Sequence, residues 1–280
     1  MEEETHINVL KIIRPINATI TFFTVIVAGF ICSGNKRVTF GVLFASFAAS
    51  FIAASANIIN DYYDIEIDKI NRPERILARG EMSTRAALIL YSFFVAGGIA
   101  LSFLVNISAV FIVIGSVVLT FYYSYKMKQI PLLGNIVVAF LTGLAFLFGG
   151  VAMGKIEPVV FPFIFAFTIN LMREIAKDME DAEGDSKAGV ITFPVKYGFE
   201  NAKTLLYVFG LFLMIAMLIP FLLKIYSARY LLIITVGVVP LLIYSMFVLH
   251  KEDDKKSFGK VSRLLKWQMI IGLFAILIGS

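Results

Sequence analysis

The chain has a single cysteine in 280 residues, Cys32. An intramolecular disulfide is thereby excluded, and Cys32 belongs to no metal-binding spacing, so it reads as a small buried apolar residue. The two histidines, His6 and His250, lie far apart and fit neither a metal pattern nor a catalytic triad. Charge is scarce as well: charged residues make up 16% of the chain and hydrophobic ones 59%, with a mean hydropathy of +0.86. That is too apolar for a water-soluble domain of this length. The opening Met1-Glu-Glu-Glu-Thr5 is acidic and lacks the basic region and small-residue cleavage site of a signal peptide, so none is expected.

What is present is apolar runs of the ~20 residues needed to cross a bilayer. Nine are read, at roughly 16–34, 39–60, 84–104, 107–125, 131–153, 157–177, 202–223, 228–249 and 262–279. The expected fold class is therefore an all-α membrane protein with nine transmembrane helices. No linker interrupts it, so one domain over 1–280 is expected. Basic residues in short loops mark the cytoplasmic side. With the N-terminus inside and nine crossings, inside segments carry 20 of the 25 Lys and Arg; only Lys36, Arg37, Lys155, Lys224 and Arg229 fall outside. The net charge of +5 is thus a topology signal, and no nucleic-acid partner is expected. Gly97-Gly98 and the glycine-rich stretch from Gly149 to Gly154 read as places where helices approach closely.

Two acidic clusters stand out against this apolar ground. The first is Asn60-Asp61-Tyr-Tyr-Asp64-Ile-Glu-Ile-Asp68; the second is Asp178-Met-Glu-Asp181-Ala-Glu-Gly-Asp185, 117 residues later. Both read D-x-x-D-x-x-x-D. At about 100° per residue, such positions fall within an arc of roughly 60° on one helix face. Each closes the cytoplasmic end of a helix, the second and the sixth, and each opens a long inside loop, about 65–83 and 179–200. Crowded carboxylates repel unless a cation lies between them, and an all-oxygen donor set favours magnesium. Asp61, Asp64, Asp68, Asp178, Asp181 and Asp185 are the candidate metal ligands. Cations accompany them: Arg72 and Arg75 after the first cluster, Lys126 and Lys128 after Tyr122-Tyr123-Ser124-Tyr125, Arg173 and Lys177 before the second. Carboxylates for magnesium with Lys and Arg for phosphate oxygens describe a diphosphate site.

Asn60-Asp61-x-x-Asp64-x-x-x-Asp68, Tyr123-Ser124 with Lys128, and Arg173-Glu-Ile-Ala-Lys177-Asp178-x-x-Asp181-x-x-x-Asp185 resemble the UbiA superfamily of intramembrane prenyltransferases, over nearly the whole chain. The resemblance implies nine helices around a central cavity that opens sideways to lipid and is capped by two cytoplasmic loops. It also implies magnesium-dependent transfer of a prenyl chain from its diphosphate. Asp61, Asp64, Asp178, Asp181, Lys177 and Tyr123 are then the catalytic candidates. Asn60, Arg72, Arg75, Lys128, Arg173 and Lys177 would bind the diphosphate. The chemistry agrees: cleaving an allylic C–O bond puts negative charge on the leaving diphosphate, for magnesium and Lys/Arg to stabilise. The allyl cation gains from tyrosine faces at 122, 123 or 125, and an apolar cavity excludes the water that would quench it.

The acceptor is read from Arg14-Pro15-Ile-Asn17 and from Glu183-Gly-Asp185-x-Lys187-Ala-Gly189. These resemble the branch of the family that joins a second geranylgeranyl chain to geranylgeranylglyceryl phosphate in archaeal ether-lipid synthesis. Geranylgeranyl diphosphate and a lipid-phosphate acceptor are the expected partners, with Arg14 and Asn17 on the acceptor. Prenylation of an aromatic quinone precursor is the nearest alternative. A cation or proton transporter would instead place its acids near the bilayer midplane on broken helices. A scaffold that merely binds isoprenoids would not need two complete triads.

Overall fold

The structure, a computed structural model, describes residues 10–34 and 37–280. The acidic Met1–Thr5 segment, His6 and Lys36 lie outside the described residues. Among the described residues there is no strand, and nine helices are long and apolar enough to cross a membrane. The helices are α1 Pro15–Ser33, α2 Phe40–Tyr63, α3 Ile65–Asn71, α4 Thr84–Phe103, α5 Ile107–Tyr125, α6 Leu133–Ala152, α7 Val160–Lys187, α8 Phe193–Tyr197, α9 Phe199–Leu222, α10 Ala228–Ile233, α11 Val239–Lys251 and α12 Lys255–Gly279. A short polar side chain sets several starts. Thr39, Ser83, Asn106 and Asp254 each accept the backbone N–H three residues on, which satisfies a donor that the first turn leaves open.

Each expected span corresponds to a helix, with two notable differences at the ends and one inside a span. The sixth does not stop near 177 but runs to Lys187. The second acidic cluster therefore sits inside a helix, and the expected loop from 179 shrinks to residues 188–192 before α8. The helix ends where Gly189 takes a positive φ of 74°. Val190 N–H bonds the Asp185 carbonyl at 2.8 Å and Gly189 N–H that of Ser186 at 3.2 Å, a Schellman closure. The eighth span is one run, Ala228–Lys251, whose Ile234–Val238 stretch is π-helical. Pro240 comes two residues later; it has no N–H to give, so the regular ladder cannot pass through it. The ninth begins at Lys255, because Asp254 caps it.

The chain divides into two compact units: Met1–Lys128 with Ala145–Pro158, and Gln129–Leu144 with Val159–Ser280. In the first, Val25, Ala45, Ala48, Ile52, Ala109, Val113, Ala145 and Phe148 form a buried core. Small residues make it tight: a Cβ on Gly98 would stand 2.6 Å from Ile52 Cδ1, and one on Gly149 2.8 Å from the Val25 carbonyl. The close-approach reading of both glycine patches holds. A second cluster of Ile12, Ile58, Leu77 and Ala87 anchors the segment after the first aspartate motif, since Ile76 and Leu77 are both buried. Cys32 is buried, as expected.

In the second unit α7 carries the core, with Met172, Ile175 and Met179 fully buried. It lies against α12 closely enough that a Cβ on Gly259 would meet Glu180 Oε1 at 2.5 Å. Tyr230 closes the far end by donating its hydroxyl to the Met217 carbonyl at 2.9 Å.

Candidate active site

The first unit gathers seven of the residues read from sequence. Asp61 lies on the last turn of α2, Asp64 is the joint after it, and Asp68 lies on α3. The three carboxylates thus do not share one uninterrupted helix, as their spacing predicted. Asp64 sits at φ −97° and ψ 5°, outside the helical well. The i→i−4 bonds continue through it all the same, Asp64 N–H to Asn60 O at 3.0 Å and Asp68 N–H to Asp64 O at 2.7 Å. The chain bends without losing its turn, and all three aspartates are buried.

Buried carboxylates need positive charge or donors, and this cluster has both. Arg75 reaches back from the following loop: its Nη1 lies 2.7 and 2.6 Å from the two oxygens of Asp68 and 3.2 Å from Asp61. Arg14 also pairs with Asp61, and Lys128 with Asp64. Asn60 Nδ2 donates to Asp64 Oδ2 at 2.8 Å. Burial opposes the charge on Arg75, but Asp61 and Asp68 more than offset it and hold the guanidinium above its ordinary pKa. For Arg14 burial prevails over Asp61 and its pKa is lowered. Burial pushes the Asp68 carboxyl up to about 6 against the pull of Arg75. One guanidinium nitrogen thus serves both Asp68 oxygens in a charge-assisted contact.

Arg14 was read as an acceptor contact at the membrane rim, yet its side chain points into the carboxylate cluster. Its backbone is unusual there: φ is 51°, a left-handed conformation costly for a non-glycine residue and not the extended one that a following proline favours. Asn57 Nδ2 holds the preceding Ile13 carbonyl at 3.1 Å. Asn17 lies in the first turn of α1, its N–H on the Arg14 carbonyl at 2.9 Å. Arg72 closes α3 with its N–H on Asp68 O at 2.8 Å. Tyr123 is half-buried at the C-terminal end of α5, whereas Tyr122 and Tyr125 are exposed.

In the second unit Arg173, Lys177, Asp178, Asp181 and Asp185 follow one another along α7, which is unbroken, as the spacing predicted. Asp185 is buried, and Asp178 and Asp181 are half-buried. Two residues here were missed in the sequence. Glu174, buried, accepts from Arg173 at 2.7 Å and from Lys177 at 2.9 Å. Asn135 donates Nδ2 to Asp178 Oδ2 at 2.8 Å. The i,i+3 spacing of Glu174 and Lys177 was a usable signal. Nothing local marks Asn135, which comes from a different helix.

Among the described residues, no three His, Cys, Asp or Glu side chains are gathered into a ready metal cage. Magnesium does not require one. It keeps most of its waters and binds through one or two carboxylates together with substrate phosphates. An all-aspartate oxygen set, already drawing cations onto itself, fits that habit.

The UbiA prenyltransferase family profile matches residues 21–270. The chain belongs to the UbiA prenyltransferase family. It is 34% identical over 271 residues to digeranylgeranylglyceryl phosphate synthase of Methanothermobacter thermautotrophicus, covering 97% of this chain and 95% of that one. It is 36% identical over 282 residues to the enzyme of the same name from Methanocaldococcus jannaschii, covering 99% and 96%. A solved structure concerning digeranylgeranylglyceryl phosphate synthase in membranes superposes with a TM-score of 0.77 at 36% identity, over 99% of this chain and 98% of that one. A UbiA homologue from Archaeoglobus fulgidus bound to GPP and Mg2+ shares the fold, with a TM-score of 0.67 at 19% identity over 95% and 99%. This UbiA-family chain is accordingly a multi-pass membrane protein and a prenyltransferase, and its nine long helices are the family's fold.

Proposed function

We propose that the protein transfers a geranylgeranyl group from geranylgeranyl diphosphate to geranylgeranylglyceryl phosphate. The observation that carries this reading is the end-to-end likeness, at 34–36% identity, to relatives named digeranylgeranylglyceryl phosphate synthase. The relative of the same fold bound to GPP and Mg2+ supports a prenyl diphosphate donor and a magnesium requirement. In this reading Asp61, Asp64 and Asp68 in the first unit, and Asp178, Asp181 and Asp185 in the second, would each be magnesium ligands. When bound, magnesium supplies Lewis-acid stabilisation of the departing diphosphate.

The chain's own residues do the rest. Arg72, Arg75, Lys128, Arg173 and Lys177 take the phosphate oxygens, with Asn60 fixing the Asp64 carboxylate. The allylic C–O bond breaks with its electron pair leaving on the diphosphate. The face of Tyr123 stabilises the allylic carbon, the acceptor hydroxyl oxygen bonds to it, and the hydroxyl proton passes to the released diphosphate. Arg14 and Asn17 meet the acceptor phosphate. The 20-to-5 bias of basic residues supports a cytoplasmic N-terminus with both clusters on that side. Single cysteines at the exposed positions 255 and 224 should then be labelled from opposite faces of the membrane.

The deciding experiment offers purified protein in detergent, with magnesium and geranylgeranyl diphosphate, a choice of geranylgeranylglyceryl phosphate, 4-hydroxybenzoate and dihydroxynaphthoate. Mass spectrometry of the products should show the glycerol phosphate prenylated fastest. A faster aromatic acceptor would replace this reading with quinone-precursor prenylation.

A further inference from the structure

Asn135 is a buried amide in the first turn of α6, 7% exposed. Its Nδ2 lies 2.8 Å from Asp178 Oδ2, and both residues belong to the second unit. An amide N–H bonded to one carboxylate oxygen fixes the carboxylate's rotation and leaves the other oxygen directed elsewhere. The backbone that delivers Asn135 is strained: Leu132 has φ 67°, a left-handed conformation costly for a leucine. That turn starts the helix, with Ile136 N–H on the Leu132 carbonyl at 2.9 Å. A strained turn, a buried amide and one carboxylate of the acidic cluster are thus linked in sequence.

We propose that Asn135 is a positioning residue that orients Asp178 for the metal and diphosphate. The proposal rests on the reading of Asp178 as a ligand in a prenyl-transfer site, and it adds a residue outside either aspartate motif. A purely structural Asn135 would only tie α6 to α7. Orientation of a ligand predicts more. Removing the amide should weaken the metal while the fold survives, and it should do so only when Asp178 is present.

The test uses the full-length protein in detergent, with Mn2+ as the metal probe and inorganic pyrophosphate as the phosphate. Binding is read by electron paramagnetic resonance, and thermal unfolding is followed in parallel. Asn135→Ala is expected to weaken Mn2+ binding roughly 10- to 100-fold, the usual cost of losing a group that orients a metal ligand. Asn135→Gln, which keeps an amide donor, should recover most of the loss. In an Asp178→Ala background the Asn135→Ala change should have no further effect, as the double-mutant cycle requires of a residue acting through its partner. Unchanged Mn2+ affinity in Asn135→Ala, or an equal loss with Asp178 already removed, would overturn the proposal. Should Asn135→Ala fail to fold, the near-isosteric Asn135→Asp takes its place. It sets a like charge against Asp178, and it must weaken Mn2+ binding for the proposal to stand. Unchanged affinity in Asp178→Ala alone would instead sink the reading of the site itself.

Discussion

The two aspartate clusters share one spacing and are built differently. The first bends at Asp64 and is laced with charge: Arg14 and Arg75 on Asp61, Arg75 on Asp68, Lys128 on Asp64. The second runs straight along α7, and its leading carboxylate, Asp178, is held by the neutral amide of Asn135. Its cations, Arg173 and Lys177, are turned toward Glu174. Identical sequence patterns therefore impose the carboxylates but not their partners, which are cations from other segments in the first cluster and an amide from α6 in the second. In the first cluster the proposed metal would share carboxylates with resident guanidinium and ammonium groups. In the second, Arg173 and Lys177, the cations proposed for the phosphate, are tethered by Glu174, one turn from Asp178.

If the two clusters act together despite this difference, losing either should abolish turnover. Alanine at Asp61, Asp64, Asp178 or Asp181 is expected to lower turnover at least ~100-fold, since ~2.7 kcal/mol of lost charge stabilisation is already that factor. Product formation in detergent with excess magnesium measures it. A cluster whose alanine variants keep near-normal rates would be a structural acid patch, and the comparison would break there.

Much of this was legible in advance, for physical reasons. Spans near 20 apolar residues leave little freedom in a bilayer, so each expected span found its helix. The i, i+3, i+7 spacing identified the acids without any knowledge of the fold. The shift of the sixth helix end to Lys187 was harder to read, because Glu180, Ala182 and Glu183 favour helix as readily as they favour a solvated loop, and the stop signal lies at Gly189. The side-chain partners were mostly illegible. Arg14 is 47 residues from Asp61 and Asn135 is 43 from Asp178, and tertiary packing alone brings such pairs together. Arg75, seven residues from Asp68, was singled out as a cation beside the cluster, but its contact with Asp68 was not read.

Arg14 sharpens the comparison next, because it stands at the first cluster while being assigned to the acceptor. Losing a charge-assisted contact costs about 1.5–3 kcal/mol. Arg14→Ala should therefore raise the acceptor KM roughly 10- to 100-fold, and change the KM for geranylgeranyl diphosphate less. Steady-state kinetics with each substrate varied in turn separates the two. If the diphosphate KM rises more, Arg14 serves the donor side through Asp61, and the acceptor phosphate is bound elsewhere.

The smallest effect concerns stability, and it asks whether the charge lacing of the first cluster holds the fold as well as the substrate. Arg75 is partly exposed, 24% at its side chain, while Asp68 beneath it is 6% exposed. Removing the guanidinium leaves two buried carboxylates short of counter-charge, a cost moderated by solvent reaching the arginine side. Arg75→Ala is expected to destabilise by about 1–2 kcal/mol, read as a lower unfolding midpoint in detergent. Asp68→Asn in the same background should recover part of the loss, because the penalty lies in the stranded charge rather than in missing contacts. The nearby Lys69–Glu66 pair supplies the control. It is as short, 2.6 Å, but its side chains are 50% and 81% exposed, so Lys69→Ala should move the midpoint by less than ~0.5 kcal/mol. Equal effects at Arg75 and Lys69 would mean that the buried carboxylates do not depend on their arginine, and that Arg75 is free to serve the diphosphate alone.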